Sequence, residues 1–584
     1  MKNKTIVTDL DANGQSPANC FTMIVGKKAS STGRVIVGQN EDDAGYLVVN
    51  HGIVPAKDWA PGSVIPHEEG CAAVPQVSHT KKFYWREVRS ARKGLSNADS
   101  FYNEAGVLLV SNSCNHSRGD VDDPTNVTDG GVAYGIRRIV AERAESARDA
   151  VHIIIELMEK YGYAPSGRSY TVADKDEAFM LQLARGKYYM GARVPDDCIV
   201  EMPNHYIFHG LNDYEEMFYP ADLVSHAIEM GWYKPAVEGD YSDFDFARCY
   251  QTEESWMKPG NVLRGKNAIR IAGREEWKDE GKGMPFAVLP KGIVTPEKVR
   301  EVLCTHYEGT EDDGQRVGPD GAPHDTKFRR ICTWSTVESV ITVFEEEKER
   351  TALYVACGRP CVLPYVRLHP LLLGLPAEVE SKEDASARLE RHLLPDPAFS
   401  KKTYSELFTR CMHFENMIEM TYKTNHERVH AMWDKLFASA LADQTANAAD
   451  TAKLAAGDKA ILADAFAQME RFEQENLTDA AVTACDTVSV SALPEVLNVT
   501  FRCEGEPKEE TVIFGLSGLG IGEREDYAAA IPGSLKKLAD GSYTAQFVTE
   551  KMLKHVVYAG TYRVYLGGRT DKAFAAPGTL TAVD

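Results

Sequence analysis

Cys20 and the polar cluster Gln39-Asn40-Glu41-Asp42 have the residue types and spacing for covalent chemistry. A thiol becomes a strong nucleophile when a base or a positive group lies beside it. Residues 20–26 are apolar and rich in strand formers, 27–33 are small and polar, and 34–38 are a second apolar run. This pattern predicts a β-hairpin that brings the start of its first strand close to the end of its second. Cutting the bond before Cys20 would give that residue a free α-amine, with a reference pKa of about 7.7–8.0. Such an amine is a built-in base, so no histidine is required, and Asp42 is placed to orient it. By residue type alone, Cys20 also reads as a buried strand cysteine.

Other groups compete for the chemistry. His426-Glu427-Arg428-Val429-His430 is an HExxH pattern in a segment expected to be helical over 403–441. It would put two histidines on one helix face for zinc, with Glu427 as base. Its polar surroundings and the lack of a close third ligand favour a solvated face. Asn112 and Ser113 end the apolar run 107–110, where an amide either caps the strand or donates to an oxyanion. Cys357 and Cys361 are spaced CGRPC, one residue longer than a redox CxxC, and read as buried thiols at a strand end. The chain has no GxSxG elbow, and GLSGLGIG at 515–522 reads as a turn rather than a phosphate loop.

These residues need a scaffold of strands and helices. The helical spacing of apolar residues predicts one helix over 136–161, stopped by Gly162. Strands are expected across 169–208, with turns at 174–176 and 185–186. Thr295-Pro296-Glu297 starts another helix, and 328–346 with 351–357 look like a closing strand pair. Strands and helices come in blocks, which favours layered α+β with antiparallel sheets. Residues 376–483 turn rich in Ala, Glu, Lys and Leu and read as helical, with a polar link at 443–457. Residues 484–584 read as a small all-β sandwich.

With 584 residues the chain is too long for one core. Its 65 basic and 86 acidic residues give a net charge of −21, which argues against nucleic-acid or membrane-surface partners. No apolar run reaches the roughly 20 residues of a membrane helix, and residues 1–19 lack the apolar region of a secretory signal. The expected compartment is the cytoplasm. Twelve scattered cysteines fit free thiols there.

Several stretches, in order, resemble one family. CFTMIVGKKASSTG with GQNED, YNEAGVLLVSNS, IVAERAESARDAVHIIIELMEKYGY followed by TVADKDEAF, ARVPDD with MPNHY, and HYEGT at 306–310 resemble peptidase family C69. This is the dipeptidase A type, related to the secernins, within the N-terminal nucleophile hydrolases. The resemblance implies a four-layer αββα sandwich over 20–375 and extends more weakly into the helical segment, whereas the β domain after 484 falls outside it and is expected to be an accessory or homo-oligomerisation module. It implies autocatalytic removal of a propeptide, residues 1–19, and hydrolysis of small peptides without metal or cofactor. Carried over residue by residue, it makes Cys20 nucleophile and base, with Asp42 holding its amine. Asn112 or Ser113 lies at the oxyanion, Asn204 is a second amide, and Gln39, Asn40 and Ser113 contact substrate. An active-site arginine is expected, and Arg270 is the position suggested for it. One departure stands out. Many relatives of this family carry a basic residue just before the NxD cluster, where this chain has Gln39, which removes a charge able to lower the thiol pKa. The rival readings are the HExxH zinc peptidase and a non-catalytic secernin-like protein.

Overall fold

The computed structural model describes residues 20–582, except 43–46, 66–67, 69, 91–98, 115–116, 120–125, 279–280, 282, 318–322, 325–328, 394–404, 421, 476–480, 491–495, 510–511, 518–525, 549–558 and 567–577. The expected propeptide, residues 1–19, and the 518–522 part of the glycine-rich stretch therefore lie outside the described residues.

Two antiparallel sheets dominate the first 370 residues. The first has six strands in the order Ile199–Met202, Phe21–Val25, Ile36–Asp42, Thr336–Val343, Ala352–Ala356, Val366–Leu368. The second has eight, running from Met217–Phe218 through Tyr189–Arg193, Ala178–Gly186, Tyr163–Ala173, Leu108–Ser113, Ser100–Asn103 and Phe83–Ser90 to Leu47–Val54. Side chains from both sheets share one apolar cluster, with Met23, Ile24, Tyr84, Leu108, Val110 and Met180 among its members. Both faces of the opening strands are covered: every residue of Phe21–Val25 and Ile36–Asp42 is buried, the polar end of the second strand included. The protein is thus of mixed α+β type with antiparallel sheets, as the block order of its elements implied.

The expected helix over 136–161 is two helices, Ile136–Arg143 and Ala147–Tyr161. Ala144 turns extended, with ψ of 132°. The Ser146 hydroxyl then accepts from the Asp149 N–H and caps the second helix. Asn103 donates to the carbonyls of Ala141 and Ala144, which holds the break in place. The apolar period runs through the break because both helices cover the same sheet.

Helices Pro259–Ala272 and Pro296–Cys304 pack on the six-stranded sheet. Thr295 caps the latter by accepting from the Lys298 N–H. Three longer helices follow: Glu406–Met420, Tyr422–Asn447 and Thr451–Glu475. The polar link expected at 443–457 shrinks to the turn before Thr451, where Asp450 accepts from the Lys453 N–H. Phe414, Trp433, Phe437 and Phe472 are all buried in the cluster that the sheets share. Each contributes about 1.5–3 kcal/mol. The exposed Arg428–Glu475 ion pair adds about 0–1 kcal/mol, so apolar packing decides how these helices sit.

Residues 481–582 form a four-stranded and a five-stranded sheet around a separate apolar core that includes Val499, Phe501, Phe514, Phe547 and Val564. Among the described residues, no helix is long and apolar enough to cross a membrane.

Candidate active site

The hairpin register builds the site. Phe21 pairs with Asn40 and Thr22 with Gln39, so Cys20 falls opposite Glu41. Cross-strand partners share a face. Cys20, Thr22, Gln39 and Glu41 therefore look toward the eight-stranded sheet, while Asn40 and Asp42 look toward the helices. The contacts follow this division. The Cys20 thiol donates to Glu41 Oε1 at 3.0 Å. Thr22 donates to Asn112 Oδ1 at 2.6 Å across the sheet interface. On the other face, Asn40 Nδ2 donates to the carbonyls of Leu303 and Ile331 at 2.8 and 3.0 Å.

Two carboxylates thus flank the cysteine, and the sequence singled out only Asp42. Glu41 is the one that touches sulfur. Burial, followed by the charges of Glu41 and Asp42, pushes the Cys20 thiol well above its ordinary value. In this state it is a neutral hydrogen-bond donor. Asp42 is wholly buried and pushed up to about 8 by burial, although Thr336, Arg264 and Arg329 pull the other way.

The arginine of the site is Arg264, on the helix Pro259–Ala272. Its Nη1 donates to the Cys20 carbonyl at 3.0 Å. Its Nη2 donates to Asn204 Oδ1 at 2.8 Å and to Asn261 Oδ1 at 2.6 Å. Arg270, suggested from the sequence, lies six residues further on. Six residues turn a helix by about 600°, which carries Arg270 to a different face, where it bonds Asn267 Oδ1 at 3.1 Å. Apolar periodicity alone does not say which of these arginines faces inward.

The two predicted amides converge on the hairpin but are used differently. Asn112 Nδ2 donates to the Met202 carbonyl at 3.1 Å and to the Pro203 carbonyl at 3.4 Å. Its Nδ2 is thus held between two carbonyls of the neighbouring segment. Asn204 donates one N–H, to the Ser113 carbonyl at 2.7 Å. Ser113 thus enters the site through its backbone.

Gln39 is held from four sides. Its Nε2 donates to Glu41 Oε2 and to the Ser111 carbonyl, both at 3.1 Å. Its Oε1 accepts from Arg86 at 3.2 Å and from Ser100 at 3.3 Å. A guanidinium from the neighbouring sheet thus reaches Gln39. Arg86 also pairs with the buried Glu338 at 2.9 Å, which stands next to Glu41 in the strand register. A second buried guanidinium, Arg168, donates to Ser111 Oγ at 3.0 Å and lies over the Tyr134 ring.

The HExxH residues do not form a comparable centre. His426 Nδ1 bonds the Tyr422 carbonyl at 2.7 Å, and His430 Nδ1 bonds the Cys361 carbonyl at 3.2 Å. Among the described residues, no third ligand groups with them. Cys357 and Cys361 are buried just past the strand Ala352–Ala356, as expected, but they point to different neighbours. The Cys357 thiol lies 3.5 Å from His51, and the Cys361 thiol 3.3 Å from His324.

Residues 19–387 match the model of peptidase family C69. The chain is 28% identical over 406 residues to a dipeptidase of Bifidobacterium longum, spanning 63% of this chain and 74% of that protein. It is 23% identical over 369 residues to a probable dipeptidase of Salmonella dublin, spanning 59% and 80%. It is 23% identical over 326 residues to a probable dipeptidase B of Lactococcus lactis, spanning 53% and 65%. The matched segment covers more than half of the chain and runs from the residue before Cys20 through both antiparallel sheets, so the chain belongs to peptidase family C69.

Proposed function

We propose that this protein is a cysteine dipeptidase that works in the cytoplasm, with Cys20 as nucleophile once residues 1–19 have been removed. In this reading the two sheets with their flanking helices form a four-layer sandwich, and residues 376–483 extend it. The observation that carries the proposal is the 3.0 Å contact between the Cys20 thiol and Glu41 Oε1, with Arg264 on the same residue's carbonyl. A nucleophile needs a proton acceptor in contact and a charge donor nearby.

Removal of the leader needs a base before any free amine exists, and Glu41 supplies it. It takes the thiol proton, and Cys20 Sγ attacks the Asn19 carbonyl carbon. The Asn19–Cys20 C–N bond breaks, the Cys20 nitrogen takes up a proton, and a thioester to Asn19 remains. Water hydrolyses the thioester, which frees residues 1–19 as a carboxylate and restores the thiol. The new amine then lies near Asp42. A cation there lowers the raised Asp42 pKa toward the usual carboxylate range, so Asp42 ionises and holds the amine.

Peptide hydrolysis repeats the chemistry on a bound dipeptide. The amine takes the thiol proton, sulfur attacks the scissile carbonyl, and the protonated amine returns a proton to the leaving nitrogen. Asn204, oriented by Arg264, has an N–H left for the oxyanion. Asn112 ties the first hairpin strand to the second sheet. Water then cleaves the thioester.

The test is intact-mass measurement of wild-type and Cys20→Ala protein, with a dipeptide panel run beside N-acyl amines. The proposal expects a mature chain starting at Cys20 and hydrolysis of dipeptides by wild type only. A homogeneous chain that retains residues 1–19 with full activity overturns it.

A further inference from the structure

A second cluster of reactive side chains lies beneath the helical segment. His306 follows the helix Pro296–Cys304, His324 and Cys332 come from the loop leading to Thr336–Val343, and Cys361 sits in the turn after Ala352–Ala356. All four are buried, and one ligand atom from each lies within 4.8 Å of the others. Residues 306, 324, 332 and 361 form no compact spacing motif, so the cluster exists only in the fold.

We propose that His306, His324, Cys332 and Cys361 form a closed site for one zinc ion that fastens the helical segment to the catalytic core. The separations fit a tetrahedron. Zinc bonds of about 2.3 Å to sulfur and about 2.0–2.1 Å to nitrogen place two sulfurs about 3.8 Å apart, two nitrogens about 3.4 Å apart and mixed pairs about 3.6 Å apart. Here the sulfurs are 3.4 Å apart and the imidazole nitrogens 3.0 Å apart. His324 Nε2 lies 3.7 Å from Cys332 Sγ and 3.3 Å from Cys361 Sγ. A disulfide has its sulfurs about 2.05 Å apart, far closer than these.

The outer partners make the stronger case. His306 Nδ1 bonds Glu308 at 3.0 Å, and His324 Nδ1 bonds Glu419 at 3.1 Å. A carboxylate accepts, so each Nδ1 carries a proton and each Nε2 faces the centre, where a ring in its neutral form presents a lone pair. Two ring nitrogens facing at 3.0 Å need an electrophile between them, a proton or a metal ion. A divalent ion with two thiolates and two neutral imidazoles meets that need with no net charge, which suits a buried position. No open coordination position is left, so the ion is structural and takes no part in hydrolysis.

Placement says what the ion fastens. Glu419 belongs to the helix Glu406–Met420 and also pairs with Arg359 in the turn that carries Cys361. Ile331, next to Cys332, accepts the hydrogen bond that holds Asn40 in the active-site hairpin. One ion thus joins the helical segment, the closing strand pair and the wall of the nucleophile site.

The test is elemental analysis and native mass spectrometry of the full chain, as wild type, Cys20→Ala, Cys361→Ser and His426→Ala. About one zinc per chain is expected in wild type, Cys20→Ala and His426→Ala, and less than about a tenth of that in Cys361→Ser. Cobalt exchange into wild type gives the same answer without relying on a variant that folds poorly. A thiolate-to-cobalt band with a tetrahedral visible spectrum supports the site. Three results overturn it: wild type without zinc both as purified and after refolding with zinc, a Cys332–Cys361 disulfide under non-reducing conditions, or metal lost from His426→Ala as from Cys361→Ser.

Discussion

Two buried cysteine sites of opposite character lie close together in this protein. At the hairpin, one thiol faces carboxylates: Glu41 touches it and Asp42 adds charge, with Arg264 behind. At the second cluster, the thiols of Cys332 and Cys361 face the imidazoles of His306 and His324, whose outer nitrogens are held by Glu308 and Glu419. The first set leaves sulfur protonated and able to pass its proton to a neighbour, which suits a nucleophile. The second offers four lone pairs to a single point, which suits a metal. Burial is common to both, so it does not distinguish nucleophile from ligand. The groups within 4 Å of sulfur do.

Perturbing each site in turn sharpens the contrast. The largest effect is expected for Cys20→Ala. Its turnover falls by about 10⁴-fold or more, because no other group replaces the covalent step, and the intact mass keeps residues 1–19 while zinc is retained. Glu41→Gln should come next. It removes the acceptor of the thiol proton, slows leader removal by about 10²–10³-fold in a refolding time course read by mass, and leaves metal content unchanged. Arg264→Lys should cost about 10²-fold in kcat, with a smaller change in KM, because one ammonium does not span the Cys20 carbonyl, Asn204 and Asn261 together. Cys361→Ser should invert the pattern. It loses zinc, and the unfolding midpoint of the catalytic unit falls by about 5–10 °C by calorimetry, while the protein that remains folded still processes its leader.

The smallest effect concerns histidines that hold neither ligand nor substrate. His51 and His205 are held at about 3 by burial, helped by Arg86 for His51 and by Arg264 for His205. The unfolded chain protonates these rings near pH 6.5, and the folded chain does not. Their contribution is therefore present above pH 6.5 and lost as pH falls toward 3, by about 2 kcal/mol per ring at pH 5. Urea midpoints at pH 7 and pH 5 measure it. His51→Gln should flatten the slope.

The local parts of the fold were legible in the sequence. The hairpin followed from an apolar run, polar turn residues and a second apolar run, and the Thr295 cap from Thr-Pro-Glu. The α+β type followed from strands and helices grouped in blocks. Where the reading failed, two elements shared one apolar period. The break at 144–146 was invisible because both helices cover the same sheet, and the polar link at 443–457 was mostly helix because its alanines propagate one. Cys20, Asp42, Asn112 and Asn204 stand out in the sequence because they lie in motifs, and the fold gathers them around one hairpin. Glu41 was legible in principle by counting the hairpin register. Arg264 was not, since nothing in its helix separates it from Arg270.

By itself, the sequence determined which short stretches become strands, turns and caps, because neighbouring side chains and backbone propensity act over a few residues. It also determined the family, because an ordered set of such stretches is specific. Only the tertiary structure decided which carboxylate meets the thiol and which guanidinium reaches Gln39. It alone brought His306, His324, Cys332 and Cys361 to one point. Those pairings join residues tens to hundreds of positions apart. They are set by sheet register and helix rotation, and these take their values only when the whole core packs.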